Sequence, residues 1–208
     1  MSKIAIDIDN TICNTTEFYG KMAIEYDREV LQKNNDIDFS KVMPRSEDWS
    51  QEELLYFVEN YFNKEALNIP IKEDAVTYIN KLKELGYEIV FITNRGIRED
   101  DHTDLIVPDY LRKHNIPYDK IITKSNDKYM YLDDVDYFID DAIRNCEEAL
   151  EKSKTKVIMF ETDKTKDYEN NKIFKTSSLE EIFNYITKYT ELIQMTENKT
   201  NINWLILI

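Results

Sequence analysis

The sequence has almost no glycine. Gly20, Gly86 and Gly96 are the whole complement in 208 residues, against a usual share of about 7%. Neither G-x-G-x-x-G nor G-x-x-x-x-G-K-[ST] can be written with those positions, so the glycine-rich phosphate cradles are excluded. Cysteine is also scarce. Cys13 and Cys146 make neither a disulfide framework nor a zinc knuckle and read as reduced, buried thiols. Positive charge is in deficit, with 27 Lys and Arg against 41 Asp and Glu and a formal charge of −14. Such a chain repels nucleic-acid backbone and anionic membrane at long range, and no basic stripe reverses this. No apolar run approaches the roughly 18 residues of a membrane helix. The opening Met1-Ser2-Lys3-Ile4-Ala5-Ile6-Asp7 lacks the pattern of a signal peptide. The expectation is a cytoplasmic protein whose partner is a small molecule, not a polymer or a membrane.

What is present is an alternation of short apolar runs and helical patterns. Strands are predicted at 3–8, 88–93, 120–123, 137–140 and 156–160. Several are apolar without a break, as strands covered on both faces are. Between them Val76, Ile79, Leu82 and Leu85 follow a helical spacing, and Gly86 stands where a helix ends. Residues 141–152 and 178–193 also carry helical spacing. The fold class is therefore α/β, a central parallel sheet between two helical layers.

One stretch interrupts the alternation. Residues 14–70 hold no convincing strand, and Thr15 to Lys33 is helical in pattern. Ser50 with Glu53 makes a capping box before Leu54, Leu55, Phe57 and Val58. This reads as a small helical cap inserted after the first strand, with 1–13 and 71–193 as the core and 194–208 as a tail. The tail is polar and then closes on Trp204–Ile208, too short to span a membrane but able to dock, pair as an edge or associate. Oligomeric state stays open.

Ligands of open parallel sheets bind at the carboxyl ends of the strands. Here those ends read Asp7-Ile8-Asp9-Asn10-Thr11, Thr93-Asn94-Arg95 and Asp140-Asp141, with Lys128 before the fourth strand. Asp7 and Asp140 offer hard oxygen ligands that suit Mg²⁺. An aspartate can also attack phosphorus. Asp9 could protonate a leaving alkoxide and then deprotonate water. Thr93 and Asn94 could hold phosphate oxygens while Lys128 balances charge. Lys124 competes with Lys128, which Asp127 before it favours. Asp133-Asp134 competes with Asp140-Asp141, but the first pair lies ahead of its strand.

These four motifs in this order resemble the haloacid-dehalogenase-like (HAD) phosphohydrolase superfamily, with a Rossmann-like three-layer core. The resemblance implies that Asp7 is nucleophile and metal ligand and Asp9 the general acid and base. It implies a metal contact from the Asp9 carbonyl, phosphate contacts from Thr93 and Asn94, and an aspartyl-phosphate steadied by Lys128. It also implies that Asp140 completes a Mg²⁺ site with Asp141 in its outer shell. Within the superfamily, Asp127-Lys128, Phe138-Ile139-Asp140-Asp141 and the size of the cap resemble the 5′(3′)-deoxyribonucleotidases and their bacterial relatives. Those tend to carry Gly-Val where this chain has Asn10-Thr11.

The function expected is thus a Mg²⁺-dependent phosphomonoesterase, a 5′-nucleotidase by this resemblance. A sugar- or polyol-phosphate phosphatase is the alternative if polar groups line the cap, and a non-catalytic phosphate-binding scaffold is the alternative of another class. The cap is rich in rings that could stack on a base. Phe18 and Tyr19, close after Asp9, are the candidates to face the site. Arg45 and Arg95 are candidates for a second anionic or polar group of the substrate.

Overall fold

The computed structural model describes residues 2–188. The C-terminal segment and the end of the last expected helix lie outside them. Six strands form one sheet in the order β3-β2-β1-β4-β5-β6, every neighbouring pair parallel. They are β1 (Lys3–Ile6), β2 (Glu88–Ile92), β3 (Lys120–Ile122), β4 (Tyr137–Asp140), β5 (Lys156–Phe160) and β6 (Phe174–Thr176). Five match the expected runs, with β1 ending at Ile6, two residues earlier than expected. The sixth escaped the sequence reading. Phe-Lys-Thr is too short and too polar to announce a strand, and only Thr176 of the three is buried.

The unbroken apolar runs are explained by strand periodicity, which sends alternate side chains to opposite faces. Ile4, Ile6, Ile89, Phe91 and Ile139 join one core layer with α4 (Glu73–Glu84), α5 (Val107–Lys113) and a helix at 179–188, here α7. Ala5, Val90, Ile92, Phe138 and Met159 join the opposite layer with Cys146 and Ala149 of α6 (Ile143–Lys152). This is the α/β/α sandwich that the alternation implied. At the end of α4, Gly86 takes φ +86° and its N–H reaches the Lys83 carbonyl at 3.0 Å. A side chain there would be strained.

The chain runs outward from β1 to β2 and β3, then returns to the other side of β1 for β4. The order reverses between β1 and β4, and such switch points open a crevice at the strand ends.

Between β1 and α4 lie α1 (Thr15–Glu25), α2 (Gln51–Phe57) and the short α3 (Asn63–Glu65). The chain leaves and returns side by side. Asn14 N–H donates to the Pro70 carbonyl at 3.0 Å and Lys72 N–H to the Ile12 carbonyl at 2.9 Å. This segment has a core of its own, built on Ala23, Tyr26, Met43, Trp49, Phe57 and Val58. The helix expected to reach Lys33 is α-helical only to Glu25. It widens into a π-helical turn over Tyr26–Val30 as Asp27 turns inward. Asp27 accepts from Trp49 Nε1 at 2.7 Å and from the Asn35 backbone at 2.8 Å. Among the described residues no helix is long and apolar enough to cross a membrane.

Candidate active site

The sheet brings Asp7 and Asp140 together because β1 and β4 are neighbours in register. Asp7 lies just past β1, where its N–H still pairs with the Ile139 carbonyl at 2.9 Å. Asp140 is the last residue of β4. Lys128, buried in a 3-10 turn after β3, sits between the two acids. Its Nζ donates to Asp7 Oδ1 and, at 2.8 Å, to Asp140 Oδ2. Thr11 Oγ1 lies 3.4 Å from the other Asp7 oxygen. Asp140 Oδ1 also accepts the Ala142 N–H at 2.8 Å, and Asn145 Nδ2 lies 3.0 Å from each Asp140 oxygen.

Asp7, Asp140 and Asp141 each offer an oxygen, all within 4.8 Å of one another. Lys128 faces three carboxylates at the bottom of a cavity, Asp7 and Asp140 buried and Asp141 partly so, with Lys72 acting on Asp141 from further off. Burial pushes the Asp7 carboxyl well above the usual range. Lys128 opposes this, and Asp140 and Asp141 add to it. Burial and the charge of Asp140 push Asp141 to about 7. Burial works against the Lys128 ammonium, but Asp140 and Asp7 outweigh it and hold the group protonated. Crowded hard-oxygen donors with too little positive charge are the donor set that Mg²⁺ fits.

Asp9 has a separate environment. Arg95 Nη2 donates to it at 2.8 Å and Nε at 3.1 and 3.2 Å, and Thr15 Oγ1 at 2.6 Å. Burial raises the Asp9 carboxyl, yet the charge and hydrogen bonds of Arg95 prevail and hold it below its ordinary range. Directly after Asp9 the chain turns, and Asn10 takes φ +61° there, its Oδ1 accepting the Thr16 N–H at 2.9 Å. Asparagine tolerates that backbone better than most residues. The turn therefore survives without glycine.

A cavity of about 310 Å³ opens over these groups. Its floor holds Asp7, Asp9, Lys128, Asp140, Asp141 and Asn145, and Asn94 stands on its wall. Met43, Arg45, Val58 and Phe62 from the helical segment also line it. Three of the expected residues are placed as follows. Thr93 is fully buried and does not line the cavity. Its hydroxyl instead accepts the Arg95 N–H at 3.3 Å beneath the turn. Phe18 packs against the main core and edge-on to Tyr19, whereas Tyr19 lines the cavity. Adjacent residues of a helix point about 100° apart, so both could not face one site. Arg95 lines the cavity with its guanidinium paired to Asp9.

The competing residues are placed elsewhere. Lys124 is largely exposed and pairs with Asp104 at 3.1 Å. Asp134 pairs with Lys3 at the opposite end of the sheet. Sequence reasoning missed Thr11, Asn145 and the Arg95 clamp. The clamp had a faint signal, since Arg95 directly follows Thr93-Asn94.

The architecture has solved counterparts. A haloacid dehalogenase-like hydrolase from Streptococcus pneumoniae superposes with a TM-score of 0.64 at 14% identity, over 89% of this chain and 98% of that one. A predicted phosphatase from Clostridium acetobutylicum gives 0.62 at 15%, over 90% and 98%. The chain has the HAD-like fold. Another structure of this fold is the D,D-heptose 1,7-bisphosphate phosphatase of B. bronchiseptica, solved with magnesium and phosphate. It superposes at 0.54 and 12% identity, over 91% and 99%. No family model and no curated protein sequence matches the chain.

Proposed function

We propose that this chain is a Mg²⁺-dependent phosphomonoesterase that works through an aspartyl-phosphate on Asp7. The observation that carries the reading is the meeting of two acid environments in one cavity. Asp7 shares Lys128 with Asp140, while Asp9 sits apart under Arg95. Asp7 attacks phosphorus and the bond to the alcohol oxygen breaks. Arg95 holds Asp9 as a carboxylate in the free protein, so Asp9 must take up a proton as the substrate binds, and it then passes that proton to the leaving alkoxide. Asp9 then takes a proton from water as that water attacks the phosphorus of the aspartyl-phosphate. Inorganic phosphate leaves and Asp7 is restored. Lys128 and Asn94 hold phosphate oxygens. Asp7, Asp140 and the Asp9 carbonyl would hold the Mg²⁺, with Asp141 behind them. When bound, the ion supplies charge neutralisation to the phosphoryl group.

The helical segment 14–70 acts as a cap, and 1–13 with 71–193 as the core. Its aromatic residues bear on the substrate. Tyr26, Trp49, Phe57 and Tyr61 pack on one another. Of the cap rings, Tyr19 and Phe62 line the cavity, with centroids 4.5 Å apart. Polar groups stand beside them, namely Arg45, Asn94, Arg98 and Asn145. The Tyr19–Phe62 pair, with Met43 and Val58 beside it, supports a 5′-nucleotide. The polar groups support a second reading, a sugar or polyol phosphate.

The test is phosphate release by the purified full chain from an aryl phosphate, nucleoside monophosphates, sugar phosphates and polyol phosphates, with and without Mg²⁺. Turnover that needs Mg²⁺ is expected, and the preferred class decides between the two substrates. Silence across the panel would replace the enzyme reading with that of a phosphate-binding scaffold.

A further inference from the structure

The cavity wall has a cation without a salt-bridge partner among the described residues. Five basic side chains line it: Lys41, Arg45, Arg95, Arg98 and Lys128. Four are neutralised by acids. Lys41 pairs with Asp38 and Glu47, Arg95 with Asp9, Arg98 with Asp100, and Lys128 with Asp7 and Asp140. Among the described residues, Arg45 has no side-chain hydrogen bond and no ion pair. The residue is partly buried, and burial together with the neighbouring charge of Arg98 depresses its pKa against the weaker opposing pull of Asp38 and Asp100. Desolvating a cation beside another cation is costly unless an anion joins them.

The backbone holds Arg45 where it is. Asp38 N–H donates to the Arg45 carbonyl at 2.9 Å, closing the turn that carries it. Met43 and Trp49 anchor the flanks in the core of the helical segment. Lys164 Nζ ties the turn to the main body through the Ser40 carbonyl at 3.0 Å. Arg98 is fixed from its own side. Asp100 accepts Arg98 Nη2 at 2.6 Å, and the Asp100 carbonyl accepts Asn63 Nδ2 at 2.9 Å. The two guanidinium groups thus come from different elements and meet at one cavity through separate supports. Neither touches the Asp7–Lys128–Asp140 cluster.

We propose that Arg45, with Arg98 beside it, forms a second anion subsite, so that the substrate carries a carboxylate or a further phosphate besides the ester that is cleaved. This inference rests on the phosphomonoesterase reading above. It specifies the far end of the molecule, which that reading left open. Guanidinium forks suit both anions because each presents paired oxygens.

The test compares one-anion and two-anion substrates on the full chain with Mg²⁺. Glycerol 3-phosphate is set against 3-phosphoglycerate for the carboxylate arm, and fructose 6-phosphate against fructose 1,6-bisphosphate for the phosphate arm. In at least one arm the two-anion member is expected to have the higher kcat/KM by about 10- to 100-fold, the span of a charge-assisted contact. In Arg45→Gln that preference collapses towards one, with the loss in KM, and Arg45→Lys restores part of it. No preference in either arm, or a preference unchanged in Arg45→Gln, overturns the proposal. If the wild type cleaves no phosphate ester at all, the phosphomonoesterase reading fails by itself. The subsite is then judged by thermal shift with 3-phosphoglycerate and fructose 1,6-bisphosphate. A shift lost in Arg45→Gln supports it, and no shift or an unchanged one overturns it.

Discussion

Arg95 grips the Asp9 carboxylate through three hydrogen bonds of 2.8 to 3.2 Å, and both side chains are nearly closed to water. The grip fixes the orientation of the group assigned to move protons. Arg95→Gln leaves Asp9 buried without its partner. A loss of about 3 kcal/mol in stability is expected, as for other broken buried pairs. Turnover of an aryl phosphate should fall by about 10- to 100-fold. Arg95→Lys should recover stability better than rate, because an ammonium cannot reproduce the fork. Urea titration and steady-state kinetics on both variants check this.

Asp7→Asn removes the attacking oxygen while nearly preserving shape. Hydrolysis of the aryl phosphate should drop by more than about a thousandfold. Lys128 keeps Asp140 as a partner, so the far-ultraviolet spectrum should be unchanged. Full activity in this variant would remove Asp7 from its assigned role.

Metal dependence has a readout apart from turnover. A ligand that binds the native state alone stabilises it by about 2.7 kcal/mol when present at a hundred times its Kd. Mg²⁺ is therefore expected to raise the melting temperature of the wild type, and a chelator to reverse the rise. Asp140→Asn should abolish it. An unchanged melting curve in saturating Mg²⁺ would count against the site.

The helical segment supplies a prediction about acid. Ser50 Oγ accepts the Glu53 N–H at 3.2 Å and Glu53 Oε2 accepts the Ser50 N–H at 2.8 Å. Ser50→Ala should cost about 1 kcal/mol. The hydrogen bond from Lys33 and then that from the Ser50 backbone lower the Glu53 carboxyl below its ordinary value. A carboxyl lowered by folding stabilises above its unfolded pKa of about 4.3 and loses that effect as acid protonates it in the native state. The melting-temperature gap between wild type and Glu53→Gln should hold steady from about pH 8 to pH 5 and close below about pH 4.

Much of the fold could be read from the sequence because buried parallel strands leave unbroken apolar runs, as in Glu88–Ile92 and Lys156–Phe160. The acids at the strand ends were legible for the same reason: each stands one step past such a run. Strand β6 was not, since its stability comes from pairing with β5 and not from its own side chains. The Asp9–Arg95 contact joins residues 86 positions apart, and Asn145 reaches back to Asp140 only once α6 has docked. Local pattern carries no record of such meetings. The rings of the cap were visible as a group, but which of them face inward depends on the packing around Tyr26.

The sheet order has a consequence for motion. β1 and β4, which carry Asp7 and Asp140, each have a strand on both sides, whereas the edges of the sheet are β3 and β6. The helical segment leaves and rejoins them at the paired crossing of Ile12–Asn14 and Pro70–Lys72, and its ends are also tied to the core by Asn63 to Asp100 and Tyr110 to Ile69. Amide exchange should therefore be slowest at Ala5, Ile6 and Ile139 and faster by orders of magnitude across 34–48, which hold few backbone pairs. Motion of 34–48 then needs no breathing of the strands beneath it. That stretch, with Met43 and Arg45 on the cavity wall, can fluctuate while Asp7 and Asp140 keep their spacing.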